Sequence, residues 1–388
     1  MLAPQITGVW PPPARVSLSR STRGDQSEFL VVPTLSHPRL LVPLGVPGAD
    51  RMLTRHGGSR AQLAAWTLWR GIHRSRAAAR LPLRRLAITP EPDGIEAHLA
   101  AALSQPVRVG VLLGPPRANL KPVLQVFDAA GATVAFAKLA LTPLANDLLV
   151  NETAALTTLG GIETRTFTAP QLLHSGQWRN NRVLVQQALP LSQSNLAPVE
   201  PPVTVMAEIA GIGATSTRGL RGSEFLGGVK PPSAPLWHGV DMQPFVRLHA
   251  ALSATAADCT FGSWHGDFGP WNMATDGARV EVWDWERFEE GVPVGLDAAH
   301  YRTQVGVASQ QEPQLAWPAI TRDVAGLLAA MGLNGDVASP VAASYLLAIT
   351  ARYRRDADSG PTSALRRRLQ WLAATASVAV ASIERPPA

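Results

Sequence analysis

One segment in the second half of the chain constrains the fold more than any other. Residues 264–272 read WHGDFGPWN, and a Thr-Asp-Gly turn at 275–277 separates them from a predicted strand, RVEVWDWE, over 279–286. An Asp-Gly pair between two alternating segments is typical of a β-hairpin. Such a hairpin brings Asn272 and Asp284 to the same end of adjacent strands, with Asp267 on the loop before them. The sequence therefore predicts that these three polar side chains converge.

The three side chains meet the requirements of phosphoryl transfer. That reaction needs a carboxylate that orients the attacking hydroxyl and accepts its proton, and oxygen ligands that hold Mg²⁺ against nucleotide phosphates. Asp267 suits the first role, and Asn272 and Asp284 suit the second. An Asp and an Asn separated by four residues, followed by an Asp at the end of the next strand, form a specific pattern, whereas a single Asp would carry little information.

The lysines indicate a second site. Of the 35 basic residues only Lys121, Lys138 and Lys230 are lysine, so arginine is the usual cation of this chain. Lys138 lies inside a predicted strand, VAFAKLA at 134–140. Glu152 follows 14 positions later, where we expect a helix that begins with Asn151 as its N-cap. Lys138 either has a functional role or lies on an edge strand and points into water; its rarity favours the first interpretation.

With these motifs together, the chain resembles the aminoglycoside phosphotransferase and choline kinase-like family. The resemblance rests on His-Gly-Asp-Phe-x-x-x-Asn and on the strand that leads into Asp-Trp-Glu, and it covers about residues 100–388. It implies an α+β, two-lobed protein kinase-like fold, with a small antiparallel-sheet lobe and a larger helical lobe. The first ~95 residues lie outside the resemblance as an N-terminal extension. The implied domains are therefore 1–95, 96–190 and 191–388.

The resemblance also implies roles for particular residues. Asp267 is the implied catalytic base, and Asn272 and Asp284 are the implied magnesium ligands. Lys138, paired with Glu152, is expected to bind the nucleotide phosphates. His265 is expected to orient the loop rather than to titrate, and Asp297 is expected to brace the same loop. The backbone from Gln186 to Ala188 is expected to hold the adenine. Glu286 makes either a metal or structural contact, or is a surface or capping residue.

The expected activity is transfer of phosphate from ATP or GTP, with Mg²⁺, to a hydroxyl of a small molecule. Sugars, amino sugars, amino alcohols and aminoglycosides are the expected acceptor classes. The alternative is a nucleotide-binding regulator or scaffold on the same fold. A protein kinase is disfavoured, because Asp-Trp-Glu replaces the usual Asp-Phe-Gly and no Ala-Pro-Glu follows it. The sequence leaves the oligomeric state open.

Composition excludes several other classes. Apolar residues make up 46% of the chain and charged residues 16%, which is incompatible with a disordered protein. A single cysteine, Cys259, excludes an internal disulfide framework. The formal charge of +6 follows from an arginine excess and does not by itself indicate nucleic-acid binding. No signal peptide or membrane-spanning segment is evident, which favours a cytoplasmic protein.

The remaining pattern predicts the order of elements. Strands are expected within 28–45 (two), within 107–139 (three), near 172–174 and near 183–187. Helices are expected over 59–80, 204–212, 245–256, 324–331, 341–353 and 365–383, and a loop over 213–239.

Overall fold

Two units make up the chain. A computed structural model describes residues 4–19, 26–34, 36–53, 67, 70–71, 85–89, 91–114, 119–190, 200–231, 234–275, 279–357 and 362–384. The first unit contains Met1–Ile162 and Ala169–Ser194, and the second contains Glu163–Thr168 and Asn195–Ala388. The helix predicted over 59–80 lies almost entirely outside the described residues.

A nine-stranded antiparallel sheet forms the first unit. Its order is β1-β4-β2-β3-β5-β6-β7-β10-β9. In chain order the strands are β1 (Val16–Ser19), β2 (Ser27–Pro33), β3 (Pro38–Pro43), β4 (Arg85–Ile88), β5 (Arg108–Leu112), β6 (Val123–Phe127), β7 (Thr133–Leu139), then β8 (Phe167–Thr168) of the second unit, β9 (Leu172–Trp178) and β10 (Asn181–Gln187). The strands predicted within 28–45 and 107–139 and near 172–174 and 183–187 are confirmed.

The core of this unit is shared by strands from distant parts of the sequence. Phe29 and Leu41, from β2 and β3, belong to the same buried cluster as Val109, Val126 and Ala137. Strand β3 pairs directly with β5, through Leu40 with Leu112 and Leu41 with Val111. Both the sheet and its core are therefore continuous across residue 95, where the sequence suggests a domain boundary.

The helices of the first unit are α1 (Pro4–Val9), α2 (Ile95–Leu103) and α3 (Pro143–Gly160). Helix α3 begins earlier than the sequence predicts. Thr142 is its N-cap, since its hydroxyl accepts a hydrogen bond from the Ala145 amide at 3.2 Å, and Pro143 occupies the first turn. The prediction that Asn151 caps this helix is therefore wrong. Glu152 lies in the middle of the helix on its buried side.

Helices dominate the second unit. They are α4 (Val203–Ala210), α5 (Glu224–Gly228), α6 (Gln243–Ala254), α7 (Leu296–Ala308), α8 (Pro313–Ala330), α9 (Ala338–Asp356) and α10 (Ser363–Ile383). Its strands are β11 (Ser216–Gly219), β12 (Leu236–Trp237), β13 (Val240–Asp241), β14 (Asp258–Trp264), β15 (Met273–Thr275), β16 (Val280–Val282) and β17 (Glu289–Pro293). The predicted helices of this region are confirmed.

The stretch 213–239, predicted as a loop, contains regular structure. Strand β11 pairs with β14, and Ser223 caps α5 by accepting a hydrogen bond from the Leu226 amide. The many Gly, Ser and Pro residues of this stretch are typical of a loop, and strand β11 forms because it pairs with the distant strand β14. One sheet unit and one mainly helical unit confirm the predicted α+β class. Among the described residues, no helix has the length and apolar character that crossing a membrane requires.

Two glycines allow the N-terminal segment to approach the turn between β6 and β7. Gly131 has a φ of +83°, and a Cβ added there would lie 2.0 Å from the carbonyl oxygen of Pro47. Gly48 has a φ of +73°, and its added Cβ would lie 2.5 Å from the Gly131 oxygen. Backbone therefore contacts backbone at this point, where a side chain does not fit.

We expect Gly131→Ala to lower the free energy of unfolding by about 2 kcal/mol or more. A left-handed alanine costs about 1–2 kcal/mol, and the contact with Pro47 adds to this. Gly114→Ala is the matched control, because nothing lies within 4 Å of an added Cβ there. Urea unfolding measures both variants, and equal stabilities would contradict the proposed backbone contact.

Candidate active site

A buried ion pair joins the middle of the first unit's sheet to helix α3. Lys138 Nζ donates to Glu152 Oε1 at 2.5 Å; Lys138 is 5% exposed and Glu152 is fully buried. Strand β7 lies between β6 and β10, where Lys138 pairs with Val123 and Leu184. The interpretation of Lys138 as an edge-strand lysine in water is therefore wrong. The spacing of 14 residues correctly identifies its partner.

The segment expected to hold an adenine has its amide groups already engaged. The Gln187 amide donates to the Gln171 oxygen at 2.8 Å, and the Ala188 amide donates to the Val134 oxygen at 3.2 Å. Gln186 is buried within β10, opposite Phe136 of β7. A base at this end of β10 would have to use other backbone groups than the Gln187 and Ala188 amides.

The loop after β14 is held by one buried carboxylate. Asp297, in the first turn of α7, accepts the amide of His265 on Oδ2 at 2.7 Å and the amide of Gly266 on Oδ1 at 3.1 Å. Burial raises the pKa of Asp297 to about 7, against the two amide bonds and Arg352, which favour the ionised form. The structure thus places Asp297 where the sequence suggests a brace for this loop.

Gly266 and Arg352 fix the same loop from a second direction. Gly266 has a φ of +81°, and an added Cβ would lie 2.2 Å from the Arg287 oxygen. The guanidinium of Arg352, on α9, donates to the Gly266 carbonyl and lies 4.8 Å from the centre of the Trp264 ring. The backbone between β14 and Asp267 therefore has little freedom.

The hydrogen bonds of His265 define its protonation state. Its Nδ1 accepts the amide of Asp267 at 3.2 Å, and its Nε2 lies 3.1 Å from the Trp283 carbonyl oxygen, to which it must donate. This fits a neutral ring with its proton on Nε2. Burial lowers the pKa of His265 to about 4, despite the opposing charge of Asp267. His265 therefore ties the loop to the strand segment that follows β16.

Asp267 presents a carboxylate at the surface of this fixed loop. Its Oδ2 accepts the amide nitrogen of Asn272 at 2.9 Å, and its Oδ1 lies 3.2 Å from His300 Nε2. About a third of its side chain, 34%, is exposed. Burial acts to raise the pKa of Asp267, but the hydrogen bond from His300 opposes it, and the pKa is lowered overall. The ionised carboxylate is thus the favoured form.

Asn272 and Asp284 lie at the same end of the hairpin, as the sequence predicts. Met273 pairs with Val282, and the Trp283 amide donates to the Asn272 carbonyl at 3.1 Å. The predicted strand over 279–286 is too long, however, because β16 ends at Val282. Asp284 then adopts a left-handed conformation with a φ of +69°, which ends the strand and starts a helical turn.

The donor atoms at this end of the hairpin fit a magnesium ion. The side-chain nitrogen of Asn272 donates both to the carbonyl and to the carboxylate of Asp267, so the amide oxygen is the ligand atom that Asn272 can offer. Asp284 adds a carboxylate, and oxygen ligands are those that Mg²⁺ prefers. Glu286 is 7% exposed in the turn after Asp284, so its interpretation as a surface residue is wrong.

Three residues of this region were missed in the sequence. His300 contacts Asp267 directly, Tyr345 contacts His300, and Arg352 holds Gly266. His300 follows Asp297 by three positions, which places both on one face of a helix, so the helical period was an available signal. Tyr345 and Arg352 lie on a helix distant in sequence, and no local pattern connects them to the loop.

Comparisons with known proteins give structural matches only. No protein-family model matches the chain, and no curated protein matches it. A solved mutant aminoglycoside phosphotransferase, bound to AMP-PNP and hygromycin B, is 13% identical, with 74% of this chain and 98% of that chain covered and a TM-score of 0.48. The GDP complex of an aminoglycoside 2'-phosphotransferase is 11% identical, with 73% and 99% covered and a TM-score of 0.47.

A glucosamine kinase also matches, at 16% identity, with 97% of this chain and 92% of that chain covered and a TM-score of 0.34. At these identities and TM-scores, function has to be inferred from the residues of the chain itself.

The buried, neutral His265 predicts a pH dependence of stability. Between pH 4 and 6.5 the unfolded chain binds a proton at this histidine and the folded chain does not, so stability falls as the pH falls through this window. From pH 7.5 to 5.5 we expect a loss of about 1 kcal/mol from this residue. Urea unfolding of the wild type and of His265→Gln measures it, and an equal pH dependence in both would contradict this assignment.

Proposed function

We propose that this protein is a kinase that transfers the terminal phosphoryl group of Mg-ATP or Mg-GTP to a hydroxyl of a small molecule. One observation carries the proposal: Asp267 presents a partly exposed, ionised carboxylate on a loop whose backbone is fixed by Asp297, His265 and Arg352. A fixed base is what phosphoryl transfer requires of a protein, because its catalysis is mainly positioning and electrostatics.

Asp267 is the proposed catalytic base. The hydroxyl of the acceptor gives its proton to the Asp267 carboxylate while its oxygen forms a bond to the terminal phosphorus. The bond between that phosphorus and the bridging oxygen breaks, and the nucleoside diphosphate leaves. The lowered pKa of Asp267 keeps the carboxylate ready to accept this proton at neutral pH. His265, whose nitrogens are both engaged, is a positioning residue.

Asn272 and Asp284 are the proposed ligands of the magnesium ion. Mg²⁺ would neutralise the charge of the nucleotide phosphates. The hydrogen bonds from the Asn272 side-chain nitrogen to Asp267 support this role, because they turn the amide so that its oxygen is the available donor. Glu286, buried two residues after Asp284, is proposed to support the same acidic end of the hairpin.

Lys138 is the proposed ligand of the nucleotide phosphates, held in place by Glu152. A buried ion pair contributes little net stability, since both charges must be desolvated. The burial of this pair in a chain that otherwise uses arginine therefore supports a functional role. The adenine is proposed to lie near Gln186 and Ala188. Because the Gln187 and Ala188 amides are engaged, backbone carbonyls would provide its contacts there.

The acceptor belongs to the class of small hydroxyl compounds: sugars, amino sugars, amino alcohols and aminoglycosides. This class follows from the resemblance of residues 264–286 to small-molecule kinases.

The test of the proposal is a phosphorylation screen across these compound classes with the wild type and Asp267→Asn. We expect Asp267→Asn to lower turnover by about 10²- to 10⁴-fold, the usual contribution of a general base. A thermal shift with Mg-ATP should remain. Asp258→Asn is the matched control, because Asp258 is an exposed aspartate at the start of β14.

Two outcomes would contradict the proposal. Full turnover in Asp267→Asn would remove the assigned base. Binding of Mg-ATP without phosphorylation of any compound by the wild type would instead favour the nucleotide-binding scaffold.

The ion pair provides a second prediction. Lys138→Met leaves Glu152 buried without its cation, and we expect about 3–5 kcal/mol of destabilisation. Combining it with Glu152→Leu should restore most of this stability but not phosphoryl transfer, because the phosphate ligand is still absent. Urea unfolding and the screen together measure both effects. Lys230→Met changes an exposed lysine and should affect neither. Restored turnover in the double variant would refute the role of Lys138.

A further inference from the structure

Helix α7 contacts the candidate catalytic loop twice. Asp297, in its first turn, binds the amides of His265 and Gly266. One turn later, His300 reaches the side chain of Asp267, with Nε2 3.2 Å from Oδ1. Residues three positions apart lie on the same face of a helix. One helical face therefore holds both the backbone of the loop and the carboxylate that the loop presents.

A chain of buried groups continues beyond His300. The hydroxyl of Tyr345, on α9, lies 3.2 Å from His300 Nδ1. His300 is 1% exposed and Tyr345 is fully buried, whereas Asp267 has a third of its side chain exposed. The chain thus runs from the interior of the second unit to a carboxylate at the surface.

The direction of the hydrogen bonds follows from the chemistry of the groups. An ionised carboxylate only accepts hydrogen bonds, so His300 Nε2 must carry a proton and donate a hydrogen bond to Asp267. Burial lowers the pKa of His300 and outweighs the Asp267 carboxylate, which acts to raise it; Arg352 and Arg368 act in the same direction as burial, so the neutral ring is favoured. A neutral ring with its proton on Nε2 has an unprotonated Nδ1, so the Tyr345 hydroxyl donates to it. Burial raises the pKa of Tyr345 well above its usual value, so this hydroxyl keeps its proton.

A buried histidine with a purely structural role needs a hydrogen-bond partner for each ring nitrogen, but neither partner has to be a partly exposed carboxylate. His300 donates to the one carboxylate that the proposed reaction requires, on the oxygen not held by Asn272. With both oxygens held from different sides, rotation of the carboxylate about its last bond would break one hydrogen bond or the other. The orientation of the carboxylate is therefore fixed before any acceptor binds.

We propose that His300 is a positioning residue for the proton-accepting carboxylate of Asp267, and that Tyr345 holds the His300 ring in place by donating a hydrogen bond to its Nδ1. This inference rests on the proposed kinase function for its kinetic consequence. Its structural part, the tautomer of His300, does not depend on that function.

The first experiment reads the tautomer directly. In ¹⁵N-histidine-labelled full-length protein at pH 7.5, long-range ¹H–¹⁵N spectra distinguish a proton on Nε2 from one on Nδ1. The His300 signal is the one of nine histidines that is lost in His300→Gln. We expect the Nε2–H form in the wild type and in Tyr345→Phe, and a changed ¹⁵N shift of Nδ1 in Tyr345→Phe, because Nδ1 there loses its hydrogen bond. An Nδ1–H form in the wild type, or an unchanged Nδ1 shift in Tyr345→Phe, would overturn the proposal.

The second experiment separates positioning from folding. Its probe is hydrolysis of Mg-ATP, in which water replaces the acceptor hydroxyl. We expect His300→Leu to lower kcat by about 10- to 100-fold, part of the contribution of a general base, with KM for ATP within twofold of the wild type. His300→Gln should retain kcat within about fivefold, because its amide nitrogen can replace Nε2 as donor. Both variants should bind Mg-ATP in a thermal shift.

The outcomes also distinguish this inference from the proposed function. If Asp267→Asn hydrolyses Mg-ATP as fast as the wild type, the proposed function fails, and the tautomer measurement still stands alone. If Asp267→Asn is inactive while His300→Leu keeps the wild-type kcat, only the positioning role of His300 fails. Equal losses in His300→Leu and His300→Gln would show that the ring fills space and does not act as a donor.

Discussion

The carboxylate of Asp297 is the interaction on which the rest of the candidate site depends. It accepts hydrogen bonds from two consecutive amides, those of His265 and Gly266, in a buried position. A buried amide without an acceptor costs free energy, so removal of the Asp297 side chain would favour a different conformation of the loop in which these amides find other partners. Every other contact of the loop acts on a backbone that Asp297 has already fixed.

The groups that surround Asp267 differ in their charge. His265 and His300 are both buried and neutral, and each donates a hydrogen without adding a positive charge. Arg352 is a nearby cation, but its guanidinium donates to the Gly266 carbonyl and lies over the Trp264 ring. The carboxylate of Asp267 therefore keeps its charge without a salt bridge to lysine or arginine among the described residues, which would lower its basicity further.

Local pattern was enough to predict the parts of the site that lie close together in sequence. The hairpin and its Asp-Gly turn predicted that Asn272 and Asp284 share one end. The rarity of lysine favoured a functional role for Lys138, and the spacing of 14 residues identified Glu152 as its partner. Other features could not be read in this way. Asn151 has the residue type of an N-cap, but Thr142 and Pro143 start the helix earlier, and a continuous helical pattern does not reveal its own first residue.

The alternating sequence of β16 likewise gives no sign that Asp284 adopts a left-handed conformation, and Tyr345 reaches His300 only through the packing of α9 on α7. These features come from tertiary contacts and not from the local sequence.

The continuous sheet of the first unit limits which N-terminal residues can be removed from this protein. Strand β3 covers the edge of β5, and β2, β3 and β4 contribute Phe29, Leu41 and Leu86 to the buried cluster that also contains Ala137 of the lysine-bearing strand. A chain beginning near residue 96 would expose a bare, apolar strand edge, which is a template for aggregation. The N-terminal residues therefore do not form a separate domain. We expect a relative that lacks them to carry polar or charged substitutions in β5.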